Sequence, residues 1–481
     1  MENLLLIFLN INETIVEKPL IIVELKLYLG IFMQLCVSTL CKNFSLVLCF
    51  LLAYHAAYGN ESALKSQKSV YYQIIDDMPR LSTYPHWLYS FMRLQKGWIP
   101  SATVTKECLQ SLSSEKLNSD LCRASYDLNL WQQLISKIYV QFNFEQDIRF
   151  HRIQFQPQPA VKFRGLLGLQ TTRDKRPLVI LRMGIHGNID EFLAERFLAK
   201  IVFEDLGYNI LVLESLTSHG YLTLNDRISE GGIEEGLHTF YVLQLLRQNK
   251  FEWSRQISEI YLMGLSLAGP GVFVTNYLDE QSRYNGEYKK QIKAIQLFCP
   301  LVNFEETFKQ HATAGRFQVA MDLWNRRRFS ALRLKHSEFD KIQWWKSFID
   351  FKPRFMPAVL NWLNVTEPKP ILELQTFKKQ FPDLEFPAEF VKHIEKSKTF
   401  YELQKFWPIY KNEKTPISIY TTPHDPAVMN NLNSNLIRDK KQPGKFTRVE
   451  FTELEGLHCA LAPEYQWPFL VELTKRGFGR K

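Results

Sequence analysis

The chain has 481 residues, 46% hydrophobic and 23% charged, so it holds one large domain with an insertion, or two to three domains, around a sizeable core. Its net charge of +9 is spread along the sequence. The densest basic cluster, Arg326-Arg327-Arg328, comes without zinc-finger spacing or an RNA-binding signature, which argues against a nucleic-acid partner and leaves contact with an anionic membrane surface open.

Residues 1 to 32 are apolar but broken by Glu13, Glu17, Lys18, Glu24 and Lys26. From Met33 the pattern changes. Lys42 precedes the apolar run Phe44 to Tyr54, which is short for a bilayer span, and small residues follow at Ala56, Ala57 and Gly59. A basic start, a short apolar stretch and a small-residue exit describe a secretory signal peptide. The expectation is a leader over 1–59, translation starting at Met33, and export to the periplasm or beyond; an uncleaved membrane anchor is the alternative.

Residues 60–145 read as a mostly helical N-terminal segment, with apolar positions at helical spacing from Leu128 to Tyr139. Next, Ile148 to Phe155 and Val161 to Gln170 alternate with period two and predict an antiparallel strand pair. The continuous apolar run after Pro177 predicts a strand buried on both faces, leading into the loop Ile185-His186-Gly187-Asn188 and a helix over 189–206. A second strand at 208–214 and a helix at 233–249 repeat the plan. A third strand runs into Gly264-Leu265-Ser266-Leu267-Ala268-Gly269, a helix follows at about 271–278, and a fourth strand at 292–299. Alternation of this kind builds a parallel sheet with helices on both faces, and ligands bind at the strand-end edge.

After Pro300 the alternation stops. Residues 303–412 read as helical and aromatic, and strands return at 416–420 and 446–451. Such an insertion is a cap over the strand-end edge or a separate second domain; because the chain leaves and re-enters near that edge, the cap is expected. Of seven cysteines, Cys36, Cys41 and Cys49 lie in the leader. Cys108 and Cys122 are close enough for a local disulfide, while Cys299 and Cys459 sit in apolar settings and read as free core thiols. No C-x-x-C occurs, and neither a metal nor a cofactor is called for.

The turn Gly264-Leu265-Ser266-Leu267-Ala268-Gly269 lies between strand and helix, with small residues on either side of the central Ser. On this turn, with Asp425 in Thr421-Thr-Pro-His-Asp-Pro and His458 in Leu454-Glu-Gly-Leu-His, the chain resembles the α/β-hydrolase family over roughly 146–302 and 413–481. The resemblance implies an α/β-hydrolase-like, mostly parallel sheet with a helical cap at 303–412. It implies Ser266 as nucleophile, His458 as base and Asp425 as the acid that orients it, with the Leu267 and Asn188 backbone N–H groups as oxyanion donors. Glu305 or Glu306 stand as alternative acids, and His424, His219 and His238 as alternative histidines. Two departures are Ala268, where Gly is commonest, and Glu214-Ser-Leu-Thr-Ser-His-Gly, where many members carry Asp and Arg-Gly. The expected activity is serine hydrolysis of a carboxylic ester or related acyl bond in a small-molecule or lipid-like substrate. An acyltransferase, a peptidase or a non-catalytic binding protein on the same fold is the alternative.

Overall fold

A computed structural model describes residues 71–75 and 104–124 and, with short breaks, 144–479. The leader and most of the expected N-terminal helical segment lie outside the described residues. What is described of that segment departs from an all-helical reading, because Tyr72–Ile74 (β1) is a strand on the sheet edge. It is followed by the helix Lys106–Ser113 (α1), tied back by a Cys108–Cys122 disulfide.

The chain then lays down β2 (Phe150–Gln158), β3 (Val161–Gly168), β4 (Arg176–Arg182), helix α2 (Arg196–Lys200), β5 (Asn209–Leu213) and helix α3 (Ile233–Arg247). Helix α2 continues as a π-turn over Ile201–Asp205. Next come β6 (Ile257–Leu265), helix α4 (Ala268–Gln281) and β7 (Ile292–Phe298). Among the helices of the insertion are α5 (Phe304–His311), α6 (Arg316–Arg328), α7 (Pro370–Gln380) and α8 (Ala388–Lys396). The chain closes with β8 (Ile417–Thr421), β9 (Val449–Glu453) and helix α9 (Trp467–Gly477).

The nine strands form one sheet in the order β1-β2-β3-β5-β4-β6-β7-β8-β9. β1, β2, β3 and β5 pair antiparallel in turn, and from β5 across to β9 every pairing is parallel. The strand period of two explains the layers. In β4, Leu178 and Ile180 face one core with Leu237 and Phe240 of α3 and Val272 of α4, while Val179 and Leu181 face the other with Phe197 of α2 and Phe469 of α9. Burial on both faces is why β4 and β5 are continuous apolar runs. Each fully buried Leu or Ile contributes about 1.5–3 kcal/mol by its burial.

Helix α4 is pulled close to its neighbours by small residues. A Cβ on Gly271 would stand 2.6 Å from the Gly232 carbonyl oxygen, and one on Gly264 would stand 2.7 Å from Val272 Cγ2. This close approach brings the start of α4 directly onto the end of β6, where Ser266 lies.

The insertion divides in two. Helices α7 and α8 pack on α3, with Phe377 stacked on Phe240 at 5.8 Å, and so extend the core of one face. The earlier part reaches the strand-end edge: Asn325 of α6 bonds His186, and Trp324 and Phe329 set their rings edge-on to it at 4.8 and 4.6 Å. No helix among the described residues is long and apolar enough to cross a membrane.

Beneath that edge runs a buried charged layer. Arg164 of β3 donates from Nη2 to Glu214 Oε2 at 2.9 Å and from Nε to Oε1 at 3.1 Å. Arg182, fully buried, donates to the Glu214 and Glu235 carbonyls. Burial pushes the Arg182 guanidinium below its ordinary value and the Glu235 carboxyl above its own. Glu214→Ala leaves Arg164 buried without its carboxylate. The expected cost is about 3–5 kcal/mol, read as a lower denaturant midpoint with an unchanged slope.

Candidate active site

Ser266 follows the last residue of β6 and takes φ +49°, a left-handed conformation rarely adopted outside Gly. The strain is held by backbone ties on both sides. Ser266 N–H donates to the Phe298 carbonyl at the end of β7, and the Ser266 carbonyl accepts from Leu301 N–H, each at 2.9 Å. Ala268, at the position where Gly is commonest in the resembled family, is fully buried at the start of α4, so its methyl is accommodated.

Asp425 lies four residues beyond β8, and His458 five beyond β9. His458 Nδ1 is 2.9 Å from Asp425 Oδ1 and 2.8 Å from Oδ2, and His458 Nε2 is 3.0 Å from Ser266 Oγ. A carboxylate accepts only, so Nδ1 carries the proton and Nε2 presents its lone pair to the serine hydroxyl. Asp425 Oδ1 also accepts from Ala427 N–H at 2.9 Å and Val428 N–H at 2.8 Å. Burial pushes the Asp425 carboxyl up, but His458 and these two amides outweigh it and hold the group below its ordinary value. The folded pKa is the depressed one. The stability from this pairing is therefore complete above the unfolded carboxylate value of about 3.9 and is lost as pH falls through the lower native value.

The rival residues lie elsewhere. Glu305 and Glu306 sit on exposed α5 and pair with Lys309. His238 is fully buried against Phe163 and Glu373, and His424 and His219 are exposed.

Leu267 N–H, next in sequence to Ser266, has no hydrogen-bond acceptor among the described residues, and neither has Ile185 N–H. A Cβ on Gly184 would lie 3.5 Å from Ser266 Cβ, which sets the start of its loop against the serine. The Asn188 side-chain oxygen accepts from Arg164 Nη2 at 3.2 Å, and the preceding Gly187 carbonyl accepts from Ser215 N–H, so the Asn188 N–H of that peptide points away from Ser215. His186 fixes that loop. Its Nδ1 pairs with the Thr217 carbonyl at 2.9 Å, and its Nε2 with the Asn325 side-chain amide at 2.7 Å.

Around the serine lies a small apolar cluster of Leu267, Leu301, Phe304 and Val428, with Ile185, Phe308 and Tyr401 against it. Cys299 and Cys459, expected as free thiols, are bonded to each other beside His458. Each follows a strand-end position, so the parallel β7 and β8 and the loop after β9 bring them together although 160 residues separate them.

No protein-family model and no curated protein matches the chain. Among solved structures it is similar to Est1E from Butyrivibrio proteoclasticus, with 13% identity over 66% of this chain and 94% of that one, at a TM-score of 0.35. Similarity to Pyrococcus furiosus esterase Pf2001 spans 71% of this chain and 98% of that one, at 13% identity and a TM-score of 0.40. Candida antarctica lipase A in its closed state matches over 64% and 73%, at 14% identity and a TM-score of 0.35. The sheet order, the parallel run from β5 to β9 and the placing of Ser266, Asp425 and His458 beyond the ends of β6, β8 and β9 give the chain an α/β-hydrolase-like fold.

Proposed function

We propose that the protein is a serine hydrolase that cleaves an apolar acyl ester through an acyl-enzyme on Ser266. The observation that carries this reading is the continuous line from Ser266 Oγ through the His458 ring to the Asp425 carboxylate, at 3.0 and 2.8 Å. As the ester carbonyl is attacked by Ser266 Oγ, the hydroxyl proton passes to His458 Nε2. Asp425 stabilises the imidazolium that forms and keeps Nδ1 as the donor. The carbonyl oxygen becomes an oxyanion facing the Leu267 amide and a backbone N–H of the loop from Ile185 to Asn188. On collapse the alcohol leaves with the proton from Nε2, and water repeats the cycle to release the acid.

The Leu267, Leu301, Phe304 and Val428 cluster beside the nucleophile supports an apolar acyl group, with Phe304 and Phe308 of α5 as a part of the insertion that covers it. A binding protein has no use for a buried carboxylate oriented on a histidine that in turn meets a serine. A fluorophosphonate probe tests the reading, because it reacts only with a serine whose proton a base can take. The full chain should label once, on the peptide carrying Ser266, and Ser266→Ala should not label. An unlabelled wild type, or equal labelling of the variant, contradicts a serine hydrolase.

A further inference from the structure

Two sulfur atoms lie against the His458 ring, on the same nitrogen that meets Ser266. Cys459 Sγ is 3.4 Å from His458 Nε2, and Cys299 Sγ is 3.9 Å from it. All three donor atoms lie within 4.8 Å of one another. The hydrolytic cycle uses neither sulfur. While joined as a disulfide they are no metal ligand, since the thiolate is the form that binds metal.

Zinc takes thiolate sulfur at about 2.3 Å and imidazole nitrogen at about 2.0–2.1 Å in a tetrahedral shell. Those lengths place sulfur and nitrogen about 3.5 Å apart on a tetrahedral edge. The two observed separations lie on either side of that value, so only the sulfurs have to part for the set to close on an ion. The His458 side chain, 31% exposed, leaves the ion a way in.

We propose that Cys299, Cys459 and His458 form a redox-gated zinc site that switches the enzyme off. Closed as a disulfide, the pair leaves His458 Nε2 to Ser266. A phosphine reductant passes two electrons to the S–S bond, becomes the phosphine oxide with an oxygen from water, and leaves two thiols. These lose their protons as Zn²⁺ binds both sulfurs and His458 Nε2, with water in the fourth position. The nitrogen has one lone pair, so it cannot hold zinc and also accept the serine proton. The loss of activity rests on the serine-hydrolase reading; the metal site does not.

The test uses the full chain, oxidised and phosphine-reduced, beside a C299S/C459S double variant treated in the same way. Cadmium is the spectroscopic probe, read by its thiolate charge-transfer absorption, and zinc is the inhibitor. Reduced wild type should show one equivalent of cadmium–thiolate absorption above the reduced double variant, in which Cys36, Cys41, Cys49, Cys108 and Cys122 provide the common background. Zinc should lower ester turnover at least tenfold in reduced wild type, reversibly by chelation, and leave the oxidised protein unchanged. No excess absorption, or zinc inhibition alike in oxidised and reduced protein, overturns the proposal. If no form cleaves an ester, the hydrolase reading fails while the cadmium signal still decides the site. Should the double variant not fold, zinc must protect Cys299 and Cys459 of reduced wild type from alkylation on mapped peptides, and absence of protection overturns the site.

Discussion

Ser266→Ala is expected to lower kcat for ester hydrolysis by a factor on the order of 10⁶, with KM little changed. The size follows from what the hydroxyl does. In the proposed mechanism it is the atom that becomes acylated, and His458 Nε2 stands 3.0 Å from it to take its proton. The substitution spares the architecture. Ser266 is held by its backbone, through Phe298 and Leu301, and not by its side chain, so the thermal midpoint should stay within about 2–4 °C of wild type. The leftover rate should still exceed that of free solution, because the proposed backbone N–H donors remain to polarise a bound carbonyl. A variant that keeps a tenth of wild-type kcat would mean that another group attacks the ester. Steady-state rates on one chromogenic ester suffice to see the difference.

Asp425→Asn is expected to cost about 10⁴ in kcat. The asparagine keeps an oxygen for the Ala427 and Val428 amides, so the loop geometry should survive. What changes is the proton. An amide N–H turned to His458 Nδ1 forces the ring into the tautomer with hydrogen on Nε2, and that nitrogen can no longer accept from Ser266. Because the defect lies in the base, the loss should shrink as the pH is raised and hydroxide takes part. Glu305→Gln and Glu306→Gln form the contrast. Both carboxylates are spent on Lys309 at an exposed helix face, and either change should move kcat less than twofold. A full rate in Asp425→Asn would show that His458 is oriented by something else.

How much of this was legible in the sequence depends on distance along the chain. The central strands were plain, because burial on both faces demands apolar runs such as the one in β4 and turns end them. The serine turn, Asp425 and His458 were legible because each follows a strand within a few residues, and parallel strands gather their ends on one edge whatever their order. Pairings that depend on strand order were not. Cys299 and Cys459 meet only because β7 and β9 flank β8, and apolar surroundings alone made them look like thiols. The strand Tyr72–Ile74 is three residues long, too short to show a period, and gains its place by pairing with the β2 edge. The insertion looked uniform in composition, yet α7 and α8 belong to the α3 face and α6 to the strand-end loop. Aromatic content marks burial without saying against what. Glu214, noted as a departure from the family's usual loop, turned out to be the partner of Arg164, fifty residues earlier on a neighbouring strand.

The central claim is that Ser266 carries the acyl group during turnover. Its most direct measurement is the mass of the protein quenched in acid during hydrolysis of a slowly deacylating aryl ester, followed by peptide mapping. The account predicts one acyl increment, located on the peptide containing Ser266, formed in a burst with release of the aryl alcohol and absent from Ser266→Ala. Steady ester cleavage with no acylated peptide at any time, or an acyl group mapped to another residue, would contradict it.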